Sequence, residues 1–209
     1  MVKVHYFFDP MCGWCYGATS LLDAIAANSD LKLELHPGGM IANQSIEKAF
    51  RNHILTSDAR IASVTGAQFG KGYIQRVKSN DPMILDSYIT ARAIITAEQL
   101  DIAPLNMLKT IQHAHYVEGK QVNRAEAIEE LAVELGLDKK HWQRAMLANQ
   151  GTEQTKIAHS RLLMQKLQVT GFPTLILEKH DTFVKLPHTA YYDKPDAWRK
   201  LIDDYIVFL

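Results

Sequence analysis

The sequence has little cysteine, no excess charge of either sign and no long apolar run. Only two cysteines occur in 209 residues, which excludes the disulfide framework that staples small secreted domains. Basic and acidic residues number 23 each, for a formal net charge of zero. With no basic stretch to track phosphates, nucleic acid is not an expected partner. No segment approaches about 18 uninterrupted apolar residues, so no membrane span is expected. The N-terminus offers one lysine, a short apolar run and then Asp9-Pro10, whereas a secretory signal needs a longer apolar segment and a small-residue cleavage site. A cytoplasmic protein is therefore expected. There, a lone cysteine pair points to catalysis or metal binding rather than to a structural disulfide.

What is present is concentrated around Asp9-Pro10-Met11-Cys12-Gly13-Trp14-Cys15-Tyr16-Gly17. Two cysteines would fall three apart by chance in roughly one such sequence in a hundred, and this spacing is associated with redox sites in a βαβ setting. Val2 to Phe8 is rich in β-branched and aromatic residues, as a buried strand is. Leu21, Leu22, Ile25 and Ala26 follow at helical spacing. Cys12 thus falls at a strand-to-helix junction. Unpaired N–H groups and the helix dipole favour a thiolate there, and Cys15 lies one turn further in, within disulfide reach.

Leu31 to His36 alternates apolar and polar residues as a half-buried strand, ended by Pro37-Gly38-Gly39. From about residue 43 to 168 the pattern is helical. One helix is predicted over 43–56 and a second, capped by Ser57-Asp58, runs towards Gly66. Residues 67–80 show no decisive period. Asp81-Pro82 pairs an N-cap with a first-turn proline and opens a helix to about Leu100. Pro104 opens the next, stopping at Gly119; Asn123 and Glu126 form a capping box; Asp138 caps a short helix; Thr152 begins the last. Some 120 residues of this kind are a helical insertion, not a loop. Thr174 to Glu178 and Phe183 to Leu186 then predict a hairpin turning at His180-Asp181, and Pro195 opens a terminal helix.

The order β-α-β, helical block, β-β-α, with Cys12-Gly13-Trp14-Cys15 after the first strand and Gly171-Phe172-Pro173-Thr174 before the third, resembles the thioredoxin superfamily. The nearer likeness is to its DsbA-like branch and that branch's FrnE-like cytosolic members. The resemblance implies an α/β thioredoxin-like core formed by residues 1–40 and 169–209. An all-helical insertion, 41–168, lies between the second and third strands, and its last helix (about 152–168) leads back into the core. It implies that Pro173 is cis and lies against the cysteines, and that the backbone of Phe172 pairs with substrate. Many relatives bury a carboxylate six residues before the first cysteine; Tyr6 stands there in this chain.

The expected activity is thiol–disulfide exchange of the reductase or isomerase type. Cys12 is the nucleophile, Cys15 the resolving thiol, and Trp14, Phe172 and Pro173 the substrate-facing residues. The partner is a disulfide-containing protein or a small thiol such as glutathione, and no cofactor is expected. Trp14 suits either a substrate platform or a cover for the cysteines. Asp9 reads as a turn residue before it reads as a proton acceptor. No metal is expected: zinc needs two ligands beyond the cysteines, and His113, His115, His180 and His188 have neither the spacing nor the position to supply them. Two other readings compete. A glutathione-dependent isomerase or transferase related to the kappa class would share the core but needs no second cysteine. A non-enzymatic redox sensor or adaptor would show a Cys12 of ordinary reactivity.

Overall fold

The computed structural model describes residues 2–208. Strand β1 (Val2–Phe8) runs into helix α1 (Gly13–Ala26), and β2 (Leu31–Pro37) returns parallel to β1. After the insertion come β5 (Thr174–Lys179), β6 (Thr182–Lys185) and the terminal helix α9 (Pro195–Phe208). The sheet order is β2-β1-β5-β6, with β5 antiparallel to both β1 and β6. His180 and Asp181 both take positive φ (49° and 61°), the geometry that joins twisted strands through a two-residue turn.

Alternation along β1 sends Val4, Tyr6 and Phe8 to one face and His5 and Phe7 to the other. The first set joins a core with Leu22 and Ile25 of α1 and with Trp198 and Ile202 of α9. Phe7 packs instead with Ile176, Val169 and residues at the end of the last insertion helix, Leu163, Met164 and Leu167. The sheet is therefore covered on both sides, and the redox turn lies at the end of a strand fixed from above and below.

Between β2 and β5 the chain forms β3 (Gln44–Ser45), α2 (Lys48–Thr65), α3 (Lys71–Lys78), β4 (Ile84–Leu85), α4 (Ser87–Gln99), α5 (Pro104–His113), α6 (Ala125–Glu134), α7 (Lys139–Ala148) and α8 (Thr152–Lys166). Four expectations need correction. The helix predicted from residue 43 begins only at Lys48, because Gln44 and Ser45 pair as a strand with β4. Ser57-Asp58 starts no helix: α2 passes straight through, and the Asp58 carboxylate accepts a bond from the Tyr73 hydroxyl instead of capping a backbone. Asp81-Pro82 is not a helix start. Residues 84–85 pair with β3, burying Met83 and Leu85 nearby, and α4 begins later, where Asp86 accepts the Tyr88 and Ile89 N–H groups. The insertion is thus helical apart from this two-residue pair. The box at Asn123 fails because α6 starts after Arg124, one residue too late for Asn123 to cap it. Asp138 does cap α7, through the His141 N–H.

Helix α5 does not stop at His113. It continues as a π turn over Ala114–Glu118 before Gly119 ends it with φ 76°. Among the described residues no helix is long and apolar enough to cross a membrane.

The α1–α9 layer depends on Trp198, which is fully buried and donates its indole N–H to the Leu21 carbonyl at 2.9 Å. Trp198→Ala leaves both a cavity and an unpaired carbonyl. It is expected to lower the unfolding free energy by about 3–5 kcal/mol, read as a fall in the urea midpoint with little change in slope.

Candidate active site

Cys12 is the N-cap of α1, with extended backbone angles (φ −94°, ψ 116°) and its carbonyl accepting the Tyr16 N–H. Its side chain is partly buried, whereas Cys15 is fully buried one turn along. The Cys15 thiol and the N–H groups of Cys15 and Trp14 point towards the Cys12 sulfur and lower its pKa; burial and the nearby Asp9 carboxylate oppose them. Cys15 moves the other way. Burial and the neighbouring Cys12 sulfur push its thiol well above the ordinary value. The pair is polarised, with one sulfur inclined to the thiolate and the other held as a thiol.

Asp9 was expected as a turn residue, and it does more. It is completely buried, and its Oδ1 accepts from the Met11 N–H (2.9 Å) and the Ser87 hydroxyl (2.7 Å) while Oδ2 accepts from the Met40 N–H (2.6 Å). Its own N–H donates to the Cys15 sulfur at 3.4 Å. Burial raises its pKa against those three bonds. So although β1 itself carries no carboxylate, the residue directly after it places one beside the cysteines. Tyr6, at the position where relatives bury a carboxylate, donates its hydroxyl to the Cys15 carbonyl at 3.2 Å.

The Phe172–Pro173 peptide is cis. The Cys12 thiol faces the Phe172 carbonyl at 3.9 Å, across 160 residues of chain. The Phe172 ring occupies the space over Gly38: a Cβ at that position would come within 1.9 Å of its Cζ. Phe172 therefore fills the gap left by the glycine. Arg161 of α8 donates to the carbonyls of Gly38 (3.0 Å) and Gly39 (2.7 Å), holding the backbone after β2 in place beneath the ring.

Two clefts meet at Trp14. One, of about 580 Å³, runs along Trp14, Phe172, Pro173, Lys185, His188 and Tyr192. The other, of about 640 Å³, opens on the insertion side of Cys12; its wall mixes apolar side chains such as Met40, Ile54 and Met83 with polar ones, Glu47, His53, Asp58, Tyr73 and His115 among them. Trp14 itself packs on Tyr192, ring centroids 6.3 Å apart.

Asp58, Tyr73 and His115 are the site residues that sequence reasoning missed. A Cβ on Gly13 would come within 2.9 Å of Asp58 Oδ1, so this carboxylate rests against the first turn of α1. Burial raises its pKa to about 6, against the bond from Tyr73. His115 is buried, and among the described residues its Nδ1 has no hydrogen-bond partner. Burial, reinforced by Arg76, drops its pKa to about 3 and keeps it neutral. The one signal that could have singled out this region is the density of tyrosine, phenylalanine and histidine at Tyr16, Phe69, Tyr73, His115 and Tyr116, whose rings pack together.

The DSBA-like thioredoxin domain family model matches residues 3–190. Comparison with curated protein sequences gave no match. Among solved structures the chain is similar to the cytosolic disulfide reductase DsbM from Pseudomonas aeruginosa, with 36% identity over 99% of this chain and 100% of that one and a TM-score of 0.92. It is also similar to that reductase with GSH, at 35% identity over 98% of each chain and a TM-score of 0.89. A 2-hydroxychromene-2-carboxylate isomerase shares the fold alone, at 14% identity and a TM-score of 0.58 over 98% of each chain. Matched by the model over most of its length, and sharing about a third of its residues end to end with a disulfide reductase, the chain belongs to the family of DSBA-like thioredoxin domains.

Proposed function

We propose that this thiol–disulfide oxidoreductase works as a cytosolic disulfide reductase, with Cys12 as nucleophile and Cys15 as resolving thiol. The observation that carries the reading is the geometry at one helix N-terminus: Cys12 partly exposed as the N-cap of α1 and facing the Phe172 carbonyl, with Cys15 fully buried one turn along. The Cys12 thiolate attacks one sulfur of a substrate disulfide; a Cys12–substrate disulfide forms and the other substrate sulfur leaves as a thiolate. Cys15, losing its proton, attacks Cys12 Sγ, forms the Cys12–Cys15 disulfide and releases the second substrate thiol. Two equivalents of a small thiol then restore the dithiol and leave as their own disulfide. Glutathione fits that role, supported by the similarity to the reductase solved with GSH. The cytosol as working compartment is supported by the similarity to that reductase, which is cytosolic.

Trp14, Phe172 and Pro173 form the wall against which the substrate's disulfide segment lies. The cleft running along all three supports this, as does the Phe172 carbonyl facing Cys12. The second cleft, which mixes apolar side chains with polar ones such as Asp58, receives the remainder of the substrate.

Cys15→Ser is expected to accumulate Cys12-linked mixed disulfides that mass spectrometry reads after acid quenching, while Cys12→Ser loses insulin reduction altogether. Full activity in Cys12→Ser would sink the assignment. Catalysis that survives in Cys15→Ser with no mixed disulfide would favour the isomerase reading.

Thiol acidity gives a second measurement. Alkylation of Cys12 in the reduced protein should reach half its maximal rate below pH 9.0, the ordinary cysteine value, while Cys15 stays unmodified through the same range. Equal reactivity of the two thiols would contradict the polarised pair.

Asp58 supplies a test of the cleft. Its folded pKa, about 6, lies above the ordinary 3.8, so folding disfavours the charged form. The resulting cost is absent below pH 3.8, grows as pH rises and is complete above about pH 6. Asp58→Asn keeps an acceptor for Tyr73 and removes the charge. It is expected to stabilise the fold by up to about 3 kcal/mol near pH 7.5, with the gap closing near pH 4 in parallel urea titrations.

A further inference from the structure

On the face of the sheet opposite α1, three side chains that the redox chemistry does not use converge. β1 and β2 pair in parallel, with His5 beside Glu34 and Phe7 beside His36. His5 Nδ1 stands 2.9 Å from His36 Nε2 and 3.7 Å from Glu34 Oε2, and one ligand atom from each residue lies within 4.8 Å of the others. Ligand atoms around a four-coordinate zinc ion, each bonded at about 2.0–2.1 Å, stand about 3.3 Å apart. The three groups are within a few tenths of an ångström of that spacing on two of their three edges.

We propose that His5, Glu34 and His36 form a binding site for a divalent cation of the zinc class, with Glu178 as its supporting carboxylate.

Two imidazoles and one carboxylate are a donor set that suits zinc, cobalt or nickel rather than magnesium or calcium, and it leaves a position for water. The other ring nitrogen of His5, Nε2, donates to Glu178 Oε2 of β5 at 2.8 Å. In neutral His5 that bond turns the Nδ1 lone pair towards Glu34 and His36. A carboxylate behind a histidine in this way fixes the tautomer and ring orientation of metal-ligating histidines. Without metal, the facing nitrogens of His5 and His36 share one proton; a cation takes its place, and His36 carries its proton on Nδ1 instead.

There is also a way in. Glu34 and His36 line a cavity of about 230 Å³ at the sheet edge, shared with Lys32, Ile94, Glu98 and Lys156. The positive groups facing the site are three lysines, each at least partly exposed. Lys32 pairs with Glu34 at 3.0 Å but is more than half exposed, Lys156 near His36 is exposed, and Lys3 pairs with Glu178 rather than with the ligands. Long lysine stems let these ammonium groups move into solvent when a dication arrives. The expectation of no metal weighs only ligands that could join the cysteines. His5 and His36 lie 31 residues apart and meet only through strand register.

The test uses the full chain in its oxidised form, where the Cys12–Cys15 disulfide leaves no thiolate to bind metal. Cobalt(II) titration should give the visible absorption of a low-coordinate nitrogen–oxygen site, saturating at one equivalent and displaced by zinc. His36→Ala and Glu34→Gln, at partly exposed positions, should each weaken binding at least 10-fold, and Glu178→Gln by about 10–100-fold, the range for supporting carboxylates. Zinc should raise the melting temperature of the parent chain and leave that of His36→Ala unchanged. Absorption only in the reduced chain, no absorption at all, or equal affinity in the parent, His36→Ala and Glu34→Gln chains would overturn the proposal.

Discussion

Three separate parts of the chain are tied together at one buried carboxylate, that of Asp9. Met11 belongs to the turn before Cys12, Met40 follows β2, and Ser87 begins α4 of the insertion; each gives Asp9 a hydrogen bond. A charge taken out of water is costly unless donors surround it, and three do so here. The same Ser87 also links to Ile41 in both directions, through its hydroxyl and its N–H. The redox turn, the exit from β2 and the insertion consequently have one relative position. Asp9 also sets part of the local field: its carboxylate charge opposes the donors that favour a Cys12 thiolate, while its N–H donates to the Cys15 sulfur.

A second link crosses the site from the other side. Arg161 holds the Gly38 and Gly39 carbonyls, Gly38 accepts the Phe172 ring over its bare Cα, and Phe172 presents its carbonyl to Cys12. Helix α8 is thereby coupled to both the glycine turn and the cis peptide. Insertion and sheet act on the cysteines together: one side fixes where Cys12 begins its helix, the other fixes what faces it.

Much of this was legible in the sequence because its signals are local. A strand followed by cysteines at helical spacing, a Gly-Phe-Pro-Thr segment before a third strand, and a two-residue turn at His180-Asp181 each depend on neighbours along the chain. Asp138 was legible as a cap for the same reason. Asp9 and Asp58 were not, because their side chains are committed to partners 78, 31 and 15 residues away, at Ser87, Met40 and Tyr73. An aspartate engaged in tertiary structure looks identical in sequence to one free to cap a helix, which is how Asp58 misplaced one helix start; Asp81-Pro82 misplaced another because Ile84 and Leu85 pair with β3 before α4 begins. The pairing of His5 with His36 was hidden in a similar way, since only parallel register brings them together.

The π turn at the end of α5 has an evolutionary corollary. Such turns accommodate one residue more than an α-helix needs, and here that residue lies where His115 and Tyr116 enter the wall of the cleft beside Cys12. Removing a single residue would restore ordinary helical winding and rotate the few residues left before Gly119 by about 100° about the helix axis. The His115 and Tyr116 side of the cleft is thus open to replacement by a one-codon deletion, while the wall contributed by Met40, Ile54, Asp58 and Met83 stays as it is. A lineage carrying this fold could change the substrates it admits in one genetic step while its redox centre stays as it is.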